Sequence, residues 1–148
     1  MKQLINKDTG ELTLNYGFVV TKETKLNDLL KKFGKDKFRQ SEYADDYYSL
    51  PQTKIDEYYV IFGFEFKDEK LKKISFQVET EPIKREAWTS QRDLETKWIA
   101  QQMNDKSNFI WNMKIAGRHY HLQYNWGCIG VYYDFKNGTF DSGLFYDK

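Results

Sequence analysis

The sequence predicts an α+β fold: two helices packed on antiparallel sheet, with a helix-then-strands order occurring twice. Three observations predict it. Thr24 to Phe33 and Ser90 to Met103 carry apolar residues at helical spacing. Each is followed by segments that alternate with period two, Tyr47 to Val78 after the first and Phe109 to Tyr146 after the second. Aromatic residues make up 18% of the chain, more than a small core needs, which places some of them on sheet faces. The two copies share element order and nothing detectable residue by residue.

At 148 residues the chain suits a single domain, residues 1–148, with a self-sufficient core. The charged connection from Glu79 to Ala87, broken by Pro82, is the one hinge candidate, and neither half is large enough to stand alone. The 23 basic and 22 acidic side chains leave a net charge of +1. That balance is poor for a non-specific nucleic-acid binder and equally poor for an acidic DNA mimic, so nucleic acid is not the expected partner. An electrostatic partner would have to be met by a local patch. A lone cysteine, Cys128, forms no internal disulfide. Met1 to Asp8 has no apolar stretch of signal-peptide length, and no run approaches the ~18 residues of a membrane span. The expected location is cytoplasmic, with no membrane partner.

Thr9-Gly10 reads as a turn. Glu11 to Val20 alternates, with Leu12, Leu14, Tyr16 and Phe18 on one face, and predicts one half-buried strand. Thr24 is placed to cap the first helix. Leu26, Leu29, Leu30 and Phe33 form its apolar stripe, Lys31 and Lys32 suit its C-terminal dipole, and Gly34 ends it. Lys35 to Glu42 is polar and reads as a loop, and Asp45 to Leu50 as a strand ended by Pro51. Tyr58 to Phe66 and Leu71 to Val78 predict a hairpin with a charged tip at Asp68-Glu69-Lys70 and an irregularity between Leu71 and Ile74. Ser90 with Asp93 resembles a capping box for the second helix, whose stripe of Leu94, Trp98, Ile99 and Met103 is looser. Asn104 to Asn108 reads as a loop. Four strands follow, Phe109 to Ile115, His119 to Trp126, Ile129 to Phe135 and Thr139 to Tyr146, with turns at Ala116-Gly117, near Gly127 and at Asn137-Gly138. Leu26, Leu29, Leu30, Phe33, Val60, Phe62, Phe64, Ile74, Phe76, Leu94, Trp98, Ile129 and Val131 are expected in the core.

Candidate chemistry is sparse. His119 and His121 share one face of a strand, as two zinc ligands can, but a third ligand is not evident, and Gln123 and Asn125 continue the face as a solvated one. Cys128 beside the histidine strand allows a Cys–His pair on paper, against the commoner reading of a structural thiol. Gly127-Cys128-Ile129-Gly130 leads into strand-like residues and lacks the helix N-terminus of a phosphate loop. Phe62-Gly63-Phe64-Glu65-Phe66 partly echoes the strand on which RNA-recognition modules stack bases, yet the basic residue before the glycine is missing. Asp45 and Asp46 adjoin Tyr47 and Tyr48, and Asp56 and Glu57 adjoin a second Tyr pair. Stiff amphipathic rings beside acidic charge are the chemistry of a recognition surface, although a solvated acidic loop accounts for them too.

Tyr124-x-Trp126-Gly127-x-Ile129 leading to Tyr133-Asp134-x-Lys136-x-Gly138 resembles the C-terminal strands of small bacterial proteins that look like immunity proteins of polymorphic-toxin or contact-dependent inhibition systems. The element order is also similar to the β-lactamase-inhibitor-protein and BamE-like architecture, in which a curved sheet grips a partner. The specific residues cover about the last quarter of the chain. Many immunity proteins that block nucleases are strongly acidic, and this chain departs from them. The resemblance implies a non-enzymatic inhibitor that binds a cognate toxin domain and needs no cofactor or metal. Asp45, Asp46, Tyr47, Tyr48, Asp56 and Glu57 are the expected partner-binding residues. The alternative is a small-ligand or RNA-binding module using exposed aromatics. Ranked below both is a metal-dependent enzyme at His119 and His121.

Overall fold

Among the residues that the computed structural model describes, 2–14, 17–82, 88–104, 110–112, 119–134 and 139–146, strands dominate. Within them, the side chains at 88–90, 92, 110–112, 119–121, 133, 134, 139 and 140 lie outside the description. The chain opens with two short strands, β1 (Leu12–Thr13) and β2 (Val19–Val20), followed by helix α1 (Leu26–Phe33). Five strands come next: β3 (Arg39–Gln40), β4 (Tyr47–Ser49), β5 (Thr53–Ile55), β6 (Tyr58–Lys67) and β7 (Lys70–Glu79). After helix α2 (Trp88–Met103) come β8 (Ile110–Asn112), β9 (His119–Tyr124), β10 (Gly127–Asp134) and β11 (Thr139–Phe145). None of the described helices is long and apolar enough to cross a membrane.

Nine strands form one antiparallel sheet in the order β3-β4-β6-β7-β11-β10-β9-β8, with β5 also paired to β6. The helix-then-strands pattern read from the sequence is not a structural repeat. The chain begins with strands, the strands after both helices merge into one sheet, and the helices are placed differently. α1 packs by the Phe33 ring on Phe18 beside the β1–β2 pair, with centroids 5.9 Å apart. α2 lies across β7, β10 and β11.

The long β6–β7 hairpin is where the alternation of the sequence is clearest. Val60, Phe62, Phe64 and Phe66 point into the core from β6, and Ile74, Phe76 and Val78 from β7. Phe66 pairs with Leu71 and Glu65 with Lys73, so Lys72 is the extra residue of a bulge, at the irregularity expected between Leu71 and Ile74. Trp98 of α2 covers this surface, 5.1 Å from the Phe76 ring and 6.5 Å from Phe62.

Of the thirteen expected core residues, Leu26, Leu30, Phe33 and Leu94 are only half-buried. The clear stripe of α1 therefore belongs to the less buried helix. α2 turns a mixed face inward: Gln91, Glu95, Trp98, Ile99, Gln102 and Met103 are all buried. These positions recur with helical period, and the three polar ones bond backbone, Gln91 and Glu95 that of β7 and Gln102 that of the N-terminal segment. Gln91 Nε2 donates to the Val78 carbonyl, and the Val78 N–H donates to Glu95 Oε2 at 2.9 Å. At the other end the Leu4 N–H donates to Gln102 Oε1 at 2.8 Å, and Gln102 Nε2 donates to the Lys2 carbonyl at 2.9 Å.

Several local expectations change. Glu11 to Val20 is a hairpin and not one strand: Gly17 takes φ +78°, and the Leu14 N–H donates to the Phe18 carbonyl at 2.8 Å. Thr24 is buried, and its hydroxyl accepts the Thr21 N–H, so it closes a turn. The helix begins after Lys25, whose N–H donates to Asp28 Oδ2 at 2.9 Å. Gly34 ends α1 at φ +81° as expected. The stretch read as a loop from Lys35 to Glu42 contains β3 and the buried Phe38, which stacks on Tyr48 at 5.1 Å. Glu79 is not in a solvated connection; it closes β7 and is buried. α2 starts two residues before Ser90, whose capping role lies outside the described side chains. The turns at Ala116-Gly117 and Asn137-Gly138 also fall outside the described residues.

The two-residue tip of the β6–β7 hairpin holds Asp68 at φ +52° and Glu69 at φ +66°. Positive φ at both positions matches the right-handed twist of the strands, and Asp tolerates it better than Glu. Glu69→Gly is expected to raise stability by about 0.5–1 kcal/mol in urea unfolding, with no change in the denaturant slope.

Candidate functional site

The face of the sheet opposite α2 is covered by its own side chains. Cross-strand pairing lines up Ser49, Gly63, Ser75, Gly143 and Gly130 in one row across β4, β6, β7, β11 and β10. Direct partners share a face, so this row is a shallow trough of small residues. Larger side chains lean across it from both flanks. The Tyr47 hydroxyl bonds Ser75 Oγ across Gly63. The Lys73 ammonium pairs with Asp141 across Gly143, and it stands 5.7 Å from the Phe145 ring centroid. Cys128 Sγ and Tyr132 Oη meet at 3.2 Å across Gly130, and the Tyr132 ring meets Phe145 edge-on at 5.1 Å. Burial, and next the Cys128 contact, hold the Tyr132 hydroxyl above its ordinary pKa, so it remains a hydrogen-bonding phenol.

At one end of this face, Asp46, Glu65, Lys67, Lys72, Lys73, Asp141 and Phe145 line an open cleft of about 390 Å³. Three carboxylates and three ammonium groups make it locally neutral and strongly polar. The Lys73 side chain is 16% exposed and that of Asp141 46%, so their pair is partly shielded from water and costs less to hold in place than two free side chains.

The structure separates the residues read as one recognition surface. Asp45 and Asp46 precede β4, near the Phe66 end of β6, where the Asp46 carbonyl accepts the Phe66 N–H at 2.9 Å. Asp56 and Glu57 form the turn into the other end of β6, and Asp56 Oδ2 accepts the Lys2 N–H at 3.0 Å. The eight residue steps along β6 from Tyr58 to Phe66 put the two acidic pairs roughly 25 Å apart. All four carboxylate residues are exposed. The tyrosines beside them are not: Tyr47 is half-buried across the trough, Tyr48 is stacked on Phe38, and Tyr58 is buried.

Sequence reasoning missed Tyr43. It is 96% exposed, in the loop between β3 and β4 with Glu42, Asp45 and Asp46. Its N–H donates to Ser41 Oγ at 3.1 Å and the Tyr47 N–H donates to the Ala44 carbonyl, so the loop is ordered under the ring. The available signal was that Tyr43 lies outside any alternating pattern, unlike Tyr47 and Tyr48.

The other candidates resolve as follows. Phe62, Phe64 and Phe66 are buried, against Trp98, Phe38 and Tyr48 in turn, and offer no ring to a base. Cys128 is half-buried at the start of β10, opposite Gln123 and Phe145, with Tyr132 as its side-chain partner. The backbones of His119 and His121 pair with Tyr132 and Gly130, and their side chains lie outside the description. Among the described residues no group of three or more His, Cys, Asp or Glu converges as a metal site.

The motif behind the resemblance serves packing wherever it is described. Tyr124 stacks on Trp126 at 5.3 Å, Trp126 Nε1 donates to the Lys7 carbonyl, and the ring leaves no room for a Cβ at Gly10. A Cβ at Gly127 would strike the Phe145 carbonyl, and Ile129 is buried. No family model, no curated protein and no solved structure matches the chain.

A Cβ at Gly63 would overlap the Tyr47 hydroxyl and Ser75 Oγ. Gly63→Ala must expel Tyr47 from the trough and is expected to cost about 1–3 kcal/mol, read by urea unfolding. Tyr47→Leu in the same background should recover part of that loss, because the hydroxyl and the ring carbon that obstruct the Cβ are both gone.

Proposed function

We propose that this protein is a non-enzymatic, protein-binding inhibitor, a bacterial immunity protein that neutralises a cognate toxin domain in the cytoplasm by occupying its active site or substrate path. The observation that carries this reading is the loop of Tyr43. A fully exposed, stiff ring stands among exposed acidic residues, beside a cleft whose ion pair is formed before any partner arrives. An aromatic anchor of this kind supplies area at low entropic cost, and the carboxylates steer a partner that carries local positive charge. The reading relocates the contact from the tyrosine pairs to Tyr43, Asp45 and Asp46. Asp56 and Glu57, at the far end of β6, would belong to a second contact region.

Co-expression with a toxin domain encoded beside this chain tests it. The expected result is a stable complex and loss of toxicity. Tyr43→Ala with Asp46→Lys should weaken the complex at least tenfold, with the unfolding midpoint unchanged, because neither side chain is buried. Failure of the pure proteins to associate, or turnover of a substrate by this chain alone, would overturn the proposal.

A further inference from the structure

The buried contacts of Glu95 contain one proton too few if its carboxylate is charged. Oε2 receives the Val78 N–H at 2.9 Å and Gln91 Nε2 at 3.0 Å, both donors. The orientation of the Gln91 amide is set by its other donation, to the Val78 carbonyl. Oε1 lies 2.8 Å from Ser142 Oγ, and the same hydroxyl lies 2.7 Å from the Phe76 carbonyl. A carbonyl only accepts and a hydroxyl has one hydrogen, so Ser142 cannot donate to both. The arrangement closes when Oε1 carries a proton, donates it to Ser142 Oγ, and leaves the serine hydrogen for Phe76.

We infer that Glu95 is held in the folded protein as a neutral carboxylic acid, and that its proton is a latch fastening α2 to β7 and β11. The surroundings agree from each element. β7 presents Glu79, itself buried, whose negative charge opposes a second one. β11 presents Ser142, and α2 presents Gln91, both uncharged. β10 presents Ile129 and Val131. Burial, the largest influence, and next the opposing hydrogen bonds from Val78, Gln91 and Ser142, leave the carboxyl with a pKa raised from 4.5 to about 7.

The sign follows from proton counting. Between 4.5 and about 7 the folded chain keeps a proton that the unfolded chain has released. The latch is fully present below that window, weakens as pH rises through it, and is gone above it. Glu95→Gln reproduces the neutral acid: its oxygen can accept from Val78 and Gln91, and its amide can donate to Ser142.

Urea unfolding of wild type and Glu95→Gln at pH 5 and pH 8.5 is the test. From the lower to the higher pH, the folding constant of the wild type should fall about two orders of magnitude more than that of the variant. Carbon NMR of the Glu95 carboxyl in the wild type should titrate near neutrality. Parallel stability profiles, or a titration midpoint in the ordinary carboxylate range, would overturn the inference. The NMR arm decides it even if the variant does not fold.

Discussion

The architecture depends on a helix doing the work of a strand. β11 pairs with β7 only from Lys73 to Ser75, so beyond Ser75 the edge of β7 opposite β6 has no strand backbone to bond, and Phe76 and Val78 are met there by side chains of β11 and α2. Backbone polar groups buried without partners cost about 1–3 kcal/mol each. Ser142, Glu95 and Gln91 reach those groups with side-chain atoms, and Gln102 does the same for Lys2 and Leu4 at the far end of the helix. α2 therefore packs apolar surface through Trp98, Ile99 and Met103 while completing the hydrogen bonding of the sheet and of the N-terminal segment. That segment is tied down again by Trp126 and Tyr146, whose polar hydrogens go to the Lys7 and Gly10 carbonyls at 2.8 Å each.

The same requirement explains why the sequence conveyed some elements and hid others. β6 and β7 were legible because one face is fully buried and the other only half-buried, which imposes alternation. α1 was legible because its polar face is solvated and Gly34 can stop it. α2 was legible as a helix, through Trp98, Ile99 and Met103, but its full inward face was not: half of that face is Gln91, Glu95 and Gln102, residues that periodicity counts as outward. Its buried stripe is regular in position and irregular in hydrophobicity. Gly17 was read past because alternation continues on either side of it, and a hairpin preserves which residues face the core. Phe38 is one apolar ring among charges, and only the third dimension places it against Tyr48 and Phe64.

The candidate site was legible in kind and not in place. The acidic residues are exposed, as their composition requires, but adjacency to tyrosine does not reveal whether a ring faces outward. Tyr47 and Tyr48 are consecutive strand residues and point to opposite sides, Tyr47 across the trough and Tyr48 onto the core. Neither side leaves them free. Tyr43 precedes the strand, so no pairing partner or facing layer claims it.

Both faces of the central strands are already occupied in the isolated chain, and this constrains how a partner can be met. One face is closed by α2. On the other, the small-residue trough is bridged by side chains that bond one another, so a partner docking at its centre would have to break the Tyr47–Ser75 and Lys73–Asp141 contacts before gaining its own. The rim asks no such exchange. The loop at 41–46 presents its ring and carboxylates from an ordered backbone, and the adjoining cleft offers Lys67 and Glu65 at the open end of the sheet. Binding energy is conserved where little must be rearranged. Under the proposed function, a sheet with both faces so occupied would favour recognition at its edge, with the strands acting as the frame that fixes the edge in space.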